Sequence, residues 1–322
     1  MHHFITGVAG FIGSQLADSL LKRGDSVSGA DDLSLGKIEH LNSARLSDEF
    51  RFFEVDFSLP PLATDCLCTA GDWRGQPDLI WHLAANSDIA AGVANLQVDF
   101  DRTLRTTFSV IEAARHASVR RVAFASSSAI YGEHADALTE DSGPLLPISN
   151  YGATKLASEA LLSAAAETIL EQIWVFRFPN VVGSRATHGV IHDFIARLHG
   201  QPSKLIVLGD GSQSKPYLHV SELIEAMQFI VAKANDRRNV FNIGPAGAST
   251  SVSFIAERTV ARAAPGTPIE YGTGDRGWPG DVPRFQYLTD KLASLGWSPK
   301  LSSDAAVMRA IDELSAAAFV GA

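Results

Sequence analysis

Short apolar runs alternate with segments whose apolar positions recur every three to four residues. Runs of strand length occur at His3–Thr6, Ser26–Ala30, Arg51–Val55, Leu79–His82, Arg121–Ala125 and Ile173–Phe178. Between them the spacing predicts helices over 14–23, where Leu16, Leu20 and Leu21 share a face, over a short stretch near 37–46, and over 97–116 and 151–171. Strand–helix alternation of this kind predicts an α/β fold with a doubly wound parallel sheet. After Asn180 the pattern changes: Pro, Gly and His become frequent through 183–217 and again through 265–283, while Asn239–Gly244 reads as a strand returning to the main sheet. No internal repeat or low-complexity run interrupts the chain.

The first strand runs directly into Gly7, Gly10 and Gly13, with Phe11 and Ile12 between the last two, and a helix follows. Strand, glycine turn and helix in that order bind dinucleotides. The first glycine permits the tight turn, the second lets the backbone approach a pyrophosphate, and the third lets helix and strand pack closely. The free N–H groups and positive end of the helix then face the phosphates. The second strand ends in Asp31-Asp32. A carboxylate at that point accepts from a ribose 2′-hydroxyl and repels a 2′-phosphate, which predicts NAD rather than NADP. The domains predicted are a Rossmann NAD-binding domain over 1–180 plus about 218–260, and a smaller α/β substrate domain over about 181–217 and 261–322, interleaved.

Tyr151 and Lys155 lie four apart, on one face of a predicted helix. A lysine beside a tyrosine stabilises the phenolate and makes it a general base near neutral pH. Ser126, Ser127 and Ser128, shortly before Tyr131-Gly132, offer hydroxyls after the fifth strand. Together with Asp31–Gly36, Val55-Asp56, His82–Ala85, Arg177–Asn180, Lys215–Val220 and Trp278–Pro283, these features resemble the extended short-chain dehydrogenases/reductases, and within them the NAD-dependent nucleotide-sugar epimerases, over nearly the whole chain.

The resemblance implies roles. Tyr151 is the base that takes a proton from a sugar hydroxyl, Lys155 lowers its pKa and holds the nicotinamide ribose, and Ser127 binds the same sugar oxygen. Asp31, Asp32, Ser34 and Gly36 belong to the cofactor site, Asp56 and Phe57 to its adenine end, and Leu83, Ala84 and Ala85 to the small-residue turn beneath it. Phe178 and Thr103 complete that set, Thr103 standing where many relatives have Asn. On the substrate side stand Ser128, Asn180, Tyr217, Asp281 for the nucleotide ribose, and Lys215 where an Arg usually binds the diphosphate. Lysine there is a point charge without the bidentate fork. Trp278 occupies the place of a second diphosphate Arg; either Arg276 replaces it or the charge is absent, and Trp278 either stacks on a base or plugs a loop.

The reaction expected is 4-epimerisation of a UDP-sugar of the UDP-glucose/UDP-galactose type, with NAD tightly bound and regenerated each cycle. Related dehydratases carry an Asp-Glu pair just after the catalytic hydroxyl, where this chain has Ser128 and Ala129. A different nucleotide sugar, UDP-glucuronate or UDP-N-acetylglucosamine, is the second enzyme reading; Thr187 stands where uronate epimerases usually place an extra Arg, although Arg185 could read a carboxylate. A nucleotide-sensing scaffold is the third, and such members typically lose the tyrosine or lysine present here.

The chain of 322 residues is 46% hydrophobic, ample for a core, and its net charge of −9 argues against nucleic-acid or anionic-membrane partners. Cys66 and Cys68 are its only cysteines, which suits thiols in the reducing cytoplasm. His188 and His192 have helical metal spacing but no evident third ligand, so no metal is predicted. The opening residues lack a charged segment followed by an apolar run, so no signal peptide is expected, and no stretch has the apolar length expected of a membrane span. Relatives dimerise through two long helices per subunit, here 97–116 and 151–171, and a homodimer is expected.

Overall fold

The computed structural model describes residues 1–134, 136–200, 203–277 and 282–320. The chain divides into two compact units. The first holds 1–130, 149–177 and 227–241; the second holds 131–148, 178–226 and 242–322. Segments 131–148, 178–180, 218–226 and 242–260, grouped with the cofactor domain in the sequence reading, thus fall in the second unit.

The first unit carries strands β1 (His2–Thr6), β2 (Ser26–Asp31), β3 (Phe50–Glu54), β4 (Leu79–His82), β5 (Arg121–Ala125) and β6 (Gln172–Arg177). Their order in the sheet is 3-2-1-4-5-6, every adjacent pair is parallel, and the strand Arg238–Asn242 adds to the β6 edge. The order reverses between β1 and β4, and in such sheets ligands bind beyond the carboxyl ends of the strands at that switch point.

Helices α1 (Phe11–Lys22), α2 (Pro60–Arg74), α3 (Ile89–Ala94), α4 (Leu96–Asp99), α5 (Thr106–His116) and α6 (Asn150–Ala165) cover the sheet. Leu67, Val110 and Leu162 from three of them pack with Phe4, Ile80, Val122 and Ile173 from the strands in one apolar core. The periodicity had not marked α2, which begins on Pro60-Pro61 and mixes Gly71 and two cysteines with polar residues; Cys66 is buried and Cys68 exposed. The single helix expected over 97–116 is instead α4, a π-helical stretch Phe100–Arg105, and α5. A π turn inserts an extra residue and rotates the helix face that follows.

The second unit packs Phe194, Leu198, Tyr217, Ile255, Val307 and Ile311 around its own core. Its strand pairs are short, such as Asn180–Val182 against Tyr217–His219. Among the described residues no helix is long and apolar enough to cross a membrane.

Candidate active site

The glycine turn lies at the switch point. Gly7 sits at φ +72°, donates its N–H to Ala30 O at 2.8 Å, and lies so close to the end of β4 that a Cβ would come 2.9 Å from Ala84 N. A Cβ on Gly13 would come 2.1 Å from Gly7 O, a backbone atom that cannot step aside. Gly10 caps α1 without a side-chain hydrogen bond and no acidic residue occupies the first turn, which leaves the helix terminus open to an anion. Leu83 and Ala84 are fixed by N–H bonds to Thr6 Oγ1, each 3.2 Å. This cradle of backbone and small side chains fits a dinucleotide.

Asp31 is buried at the end of β2. Its Oδ2 accepts from Ala9 N–H and its Oδ1 from Leu33 N–H, both at 2.9 Å. Burial pushes its carboxyl above the usual range, against those two hydrogen bonds. Gly36 closes on it, since a Cβ there would lie 2.7 Å from Asp31 Oδ1. Asp32 is exposed and accepts from both the N–H and the hydroxyl of Ser34. Asp56 accepts from Ser58 N–H at 2.8 Å, and Phe57 packs on Phe4 with ring centres 5.5 Å apart. Thr103 belongs to the π-helical stretch and spends its hydroxyl on the N–H of Asn86 at 3.1 Å.

The proposed catalytic groups converge where β5 ends. Ser149 caps α6 by accepting from Gly152 N–H at 3.0 Å, which sets Tyr151 in the first helical turn and Lys155 one turn later. Lys155 is 2% exposed; its Nζ donates to Ala125 O at 2.7 Å and lies 4.8 Å from the Phe124 ring centre and 5.8 Å from that of Tyr151. Ser127 hydrogen-bonds Tyr151 and accepts from Ala129 N–H at 3.1 Å.

The electrostatics differ from the simple Tyr/Lys expectation. Burial pushes the Tyr151 phenol up to about 12; the Ser127 hydrogen bond opposes this, and the charge of Asp99 adds to it. Burial also pushes Lys155 down to about 7, with Glu159 and then Asp99 pulling it back. The resting pair is therefore a phenol beside an ammonium that is partly populated at neutral pH.

Sequence reasoning missed the groups behind this pair. Glu159, one turn beyond Lys155, takes two bonds from Arg177, 3.1 Å from Nε and 2.8 Å from Nη2, and one from Ser126 Oγ. The four-residue spacing Tyr151, Lys155, Glu159 was a usable signal. Asp99, fully buried, had none.

In the second unit, Asn180 is exposed and pairs in register with Tyr217, whose ring is 4% exposed in that unit's core. Lys215 pairs with Thr250 on a neighbouring strand. Arg276 forms an ion pair with Glu133 at 2.7 Å. Ser128 starts a short 3₁₀ turn and Phe178 is buried. Asp281 and Trp278 lie outside the described residues.

A family model described as "NAD dependent epimerase/dehydratase family" matches residues 3–244. A UDP-glucose 4-epimerase of Mycolicibacterium smegmatis is 31% identical over 97% of this chain and 98% of its own length. A UDP-glucuronate 4-epimerase of Thermodesulfobacterium geofontis is 26% identical over 97% and 95%. Among solved structures, a UDP-galactose 4-epimerase superposes with a TM-score of 0.86 at 31% identity, over 98% of this chain and 99% of that one.

Proposed function

From its place in the NAD-dependent epimerase/dehydratase family, to which the chain belongs, we propose that this protein is a 4-epimerase of a UDP-hexose of the glucose/galactose type, working with tightly held NAD in the cytoplasm. The observation that carries the reading is the Ser127–Tyr151–Lys155 cluster beside the NAD cradle, with Ser128 and Ala129 where an elimination would need carboxylates. The names of the relatives support a UDP-sugar: UDP-glucose for one and UDP-glucuronate for another.

Bound NAD supplies a hydride acceptor that is restored in each cycle and a positive charge that favours the phenolate. Gly7, Gly10 and Gly13 would receive the pyrophosphate, Asp31 the adenosine ribose, and Lys155 the nicotinamide ribose. Tyr151 takes the proton from the sugar 4-hydroxyl as hydride leaves C-4, and returns it when hydride comes back to the opposite face. Ser127 holds the same oxygen throughout. No proton or electron is consumed overall, so no outside reductant is needed. On the substrate side Asn180, Tyr217, Lys215, Arg276 and Asp281 are assigned to the nucleotide sugar, with Arg276 released from Glu133 on binding.

We assign the active species as a homodimer through α5 and α6. Exposed Phe108 and Leu161 on these helices support it.

The test is proton NMR of the purified protein, without added cofactor, against UDP-glucose, UDP-N-acetylglucosamine and UDP-glucuronate in separate tubes. Conversion of UDP-glucose to UDP-galactose is expected. Turnover of another substrate alone replaces the sugar assignment, and no turnover even with added NAD and other nucleotide sugars overturns the enzyme reading.

A further inference from the structure

We propose that Asp99 is a positioning residue of the active site, the buried counter-charge that keeps Lys155 an ammonium. The inference rests on the Tyr151–Lys155 reading above.

Asp99 closes α4, at the start of the π-helical stretch, and is completely buried. An acid in that state is rare unless a cation compensates it. Its Oδ1 accepts from the Asn86 side-chain amide at 2.8 Å, a neutral donor. Among the described residues its Oδ2 has no hydrogen-bond partner. The carboxylate is pressed against the backbone of Gly92, where a Cβ would come 1.9 Å from Oδ2. Asn86 is itself fixed: its amide also donates to Asp88 O at 2.8 Å, and its N–H binds Thr103. Asp99 is thus held by the Asn86 amide at one oxygen and by the Gly92 backbone at the other, which is left without a hydrogen bond.

Among the described residues, the cation that acts on it is Lys155. α4 and the π-helical stretch pack on α6, which carries Lys155. The other groups around the pair do not neutralise Asp99. Glu159 exerts the larger pull on Lys155, but both its oxygens are engaged by Arg177 and Ser126, so that ion pair is closed on itself. His82, between Thr6 and Thr107, is held neutral, its pKa pushed down to about 3 by burial and then by Lys155. Asp88 is a second acid and raises the burden. The Tyr151 phenol is neutral at rest and feels Asp99 as repulsion. The arrangement is therefore one net positive group, Lys155, facing one uncompensated acid. Removing the acid leaves a buried ammonium with a weaker hold on its proton.

The experiment is carbon-13 NMR of the full-length protein, as purified, labelled at the lysine ε-carbon and titrated with alkali. The Lys155 signal is assigned by its loss in Lys155→Met. In Asp99→Asn the Lys155 midpoint is expected to fall by about one pH unit. An unchanged midpoint overturns the proposal. The alkaline limb of kcat/KM for epimerisation should move to lower pH in step. A merely structural role would lower kcat at every pH and move neither midpoint nor limb, and that result also overturns it. If the midpoint moves and the limb does not, the counter-charge stands and the Tyr151–Lys155 proton-transfer reading fails. Should Asn at 99 clash with the Asn86 amide and cost the fold, Asp99→Ser, smaller and neutral, carries the same expectations.

Discussion

A single phenolic proton is the centre of the proposed chemistry, and Tyr151 holds it more tightly than the sequence alone suggested. Lys155 lies over the ring, yet burial outweighs the hydrogen bond from Ser127 and the phenol stays protonated at rest. Tyr151→Phe is expected to cut kcat by about 10² to 10⁴, the range of a positioned acid–base group. Bound NAD, read by absorbance after denaturation, should stay at the wild-type level; loss of NAD with activity would show that the variant had damaged the fold instead. At this scale the sequence was legible wherever a residue's role follows from its neighbours in the chain: the glycine turn, Asp31 at the strand end, Tyr151 four before Lys155. It was silent where partners come from distant segments. Asp99 meets Asn86 and Gly92 only because α3 and α4 fold back toward β4, and Thr103 points at a backbone N–H for the same reason.

Elements were legible in proportion to their regularity. All six parallel strands were visible as apolar runs; five of them are buried along nearly their whole length, and the edge strand β3 is only partly covered. The helix after β3 was not, since two prolines open it and its polar and apolar residues hardly segregate. Nor could a period of 3.6 reveal the π turn inside 97–116. Two contacts between elements give sharp tests. Gly13 joins α1 to β1 with no room for a methyl group, so Gly13→Ala should cost about 1–3 kcal/mol and displace NAD, both checked by thermal melting with and without added cofactor. Glu159 and Arg177 tie α6 to β6 as a pair with exposures of only 10% and 8%. Arg177→Met alone strands a buried carboxylate and should cost about 3–5 kcal/mol in denaturant unfolding. The double variant Glu159→Leu/Arg177→Met should recover much of that loss; a double variant as weak as the single would mean the pair is not the cause.

At the scale of the whole molecule, two consequences follow from what is buried and what is not. Burial holds His82 at about 3 and His3 at about 4, both below the ordinary 6.5. Between those values the unfolded chain binds more protons than the folded one, so stability falls as pH drops below about 6.5. Glu313, lowered to about 2 by hydrogen bonds from His219 and Ser184 that outweigh its burial, adds a loss that begins near its ordinary 4.5. The urea midpoint should therefore decline from pH 6.5 downward and more steeply below 4.5, while a flat profile would contradict the burial of both imidazoles. The second consequence concerns surface rather than core. Phe100, Leu104 and Phe108 line an apolar groove with Leu59 and Leu161, and Phe108 is 48% exposed. A folded monomer gains nothing by presenting aromatic rings to water, whereas a second copy of α5 and α6 would cover them. Light scattering should give twice the chain mass for the wild type. A charge at the centre of that face, Phe108→Asp, should halve it, because a carboxylate buried in an apolar interface has no partner. Phe108 is not among the residues assigned to the site, so the monomer should still bind NAD. A wild type already monomeric at micromolar concentration would instead assign the groove to another partner and remove the dimer from the proposal.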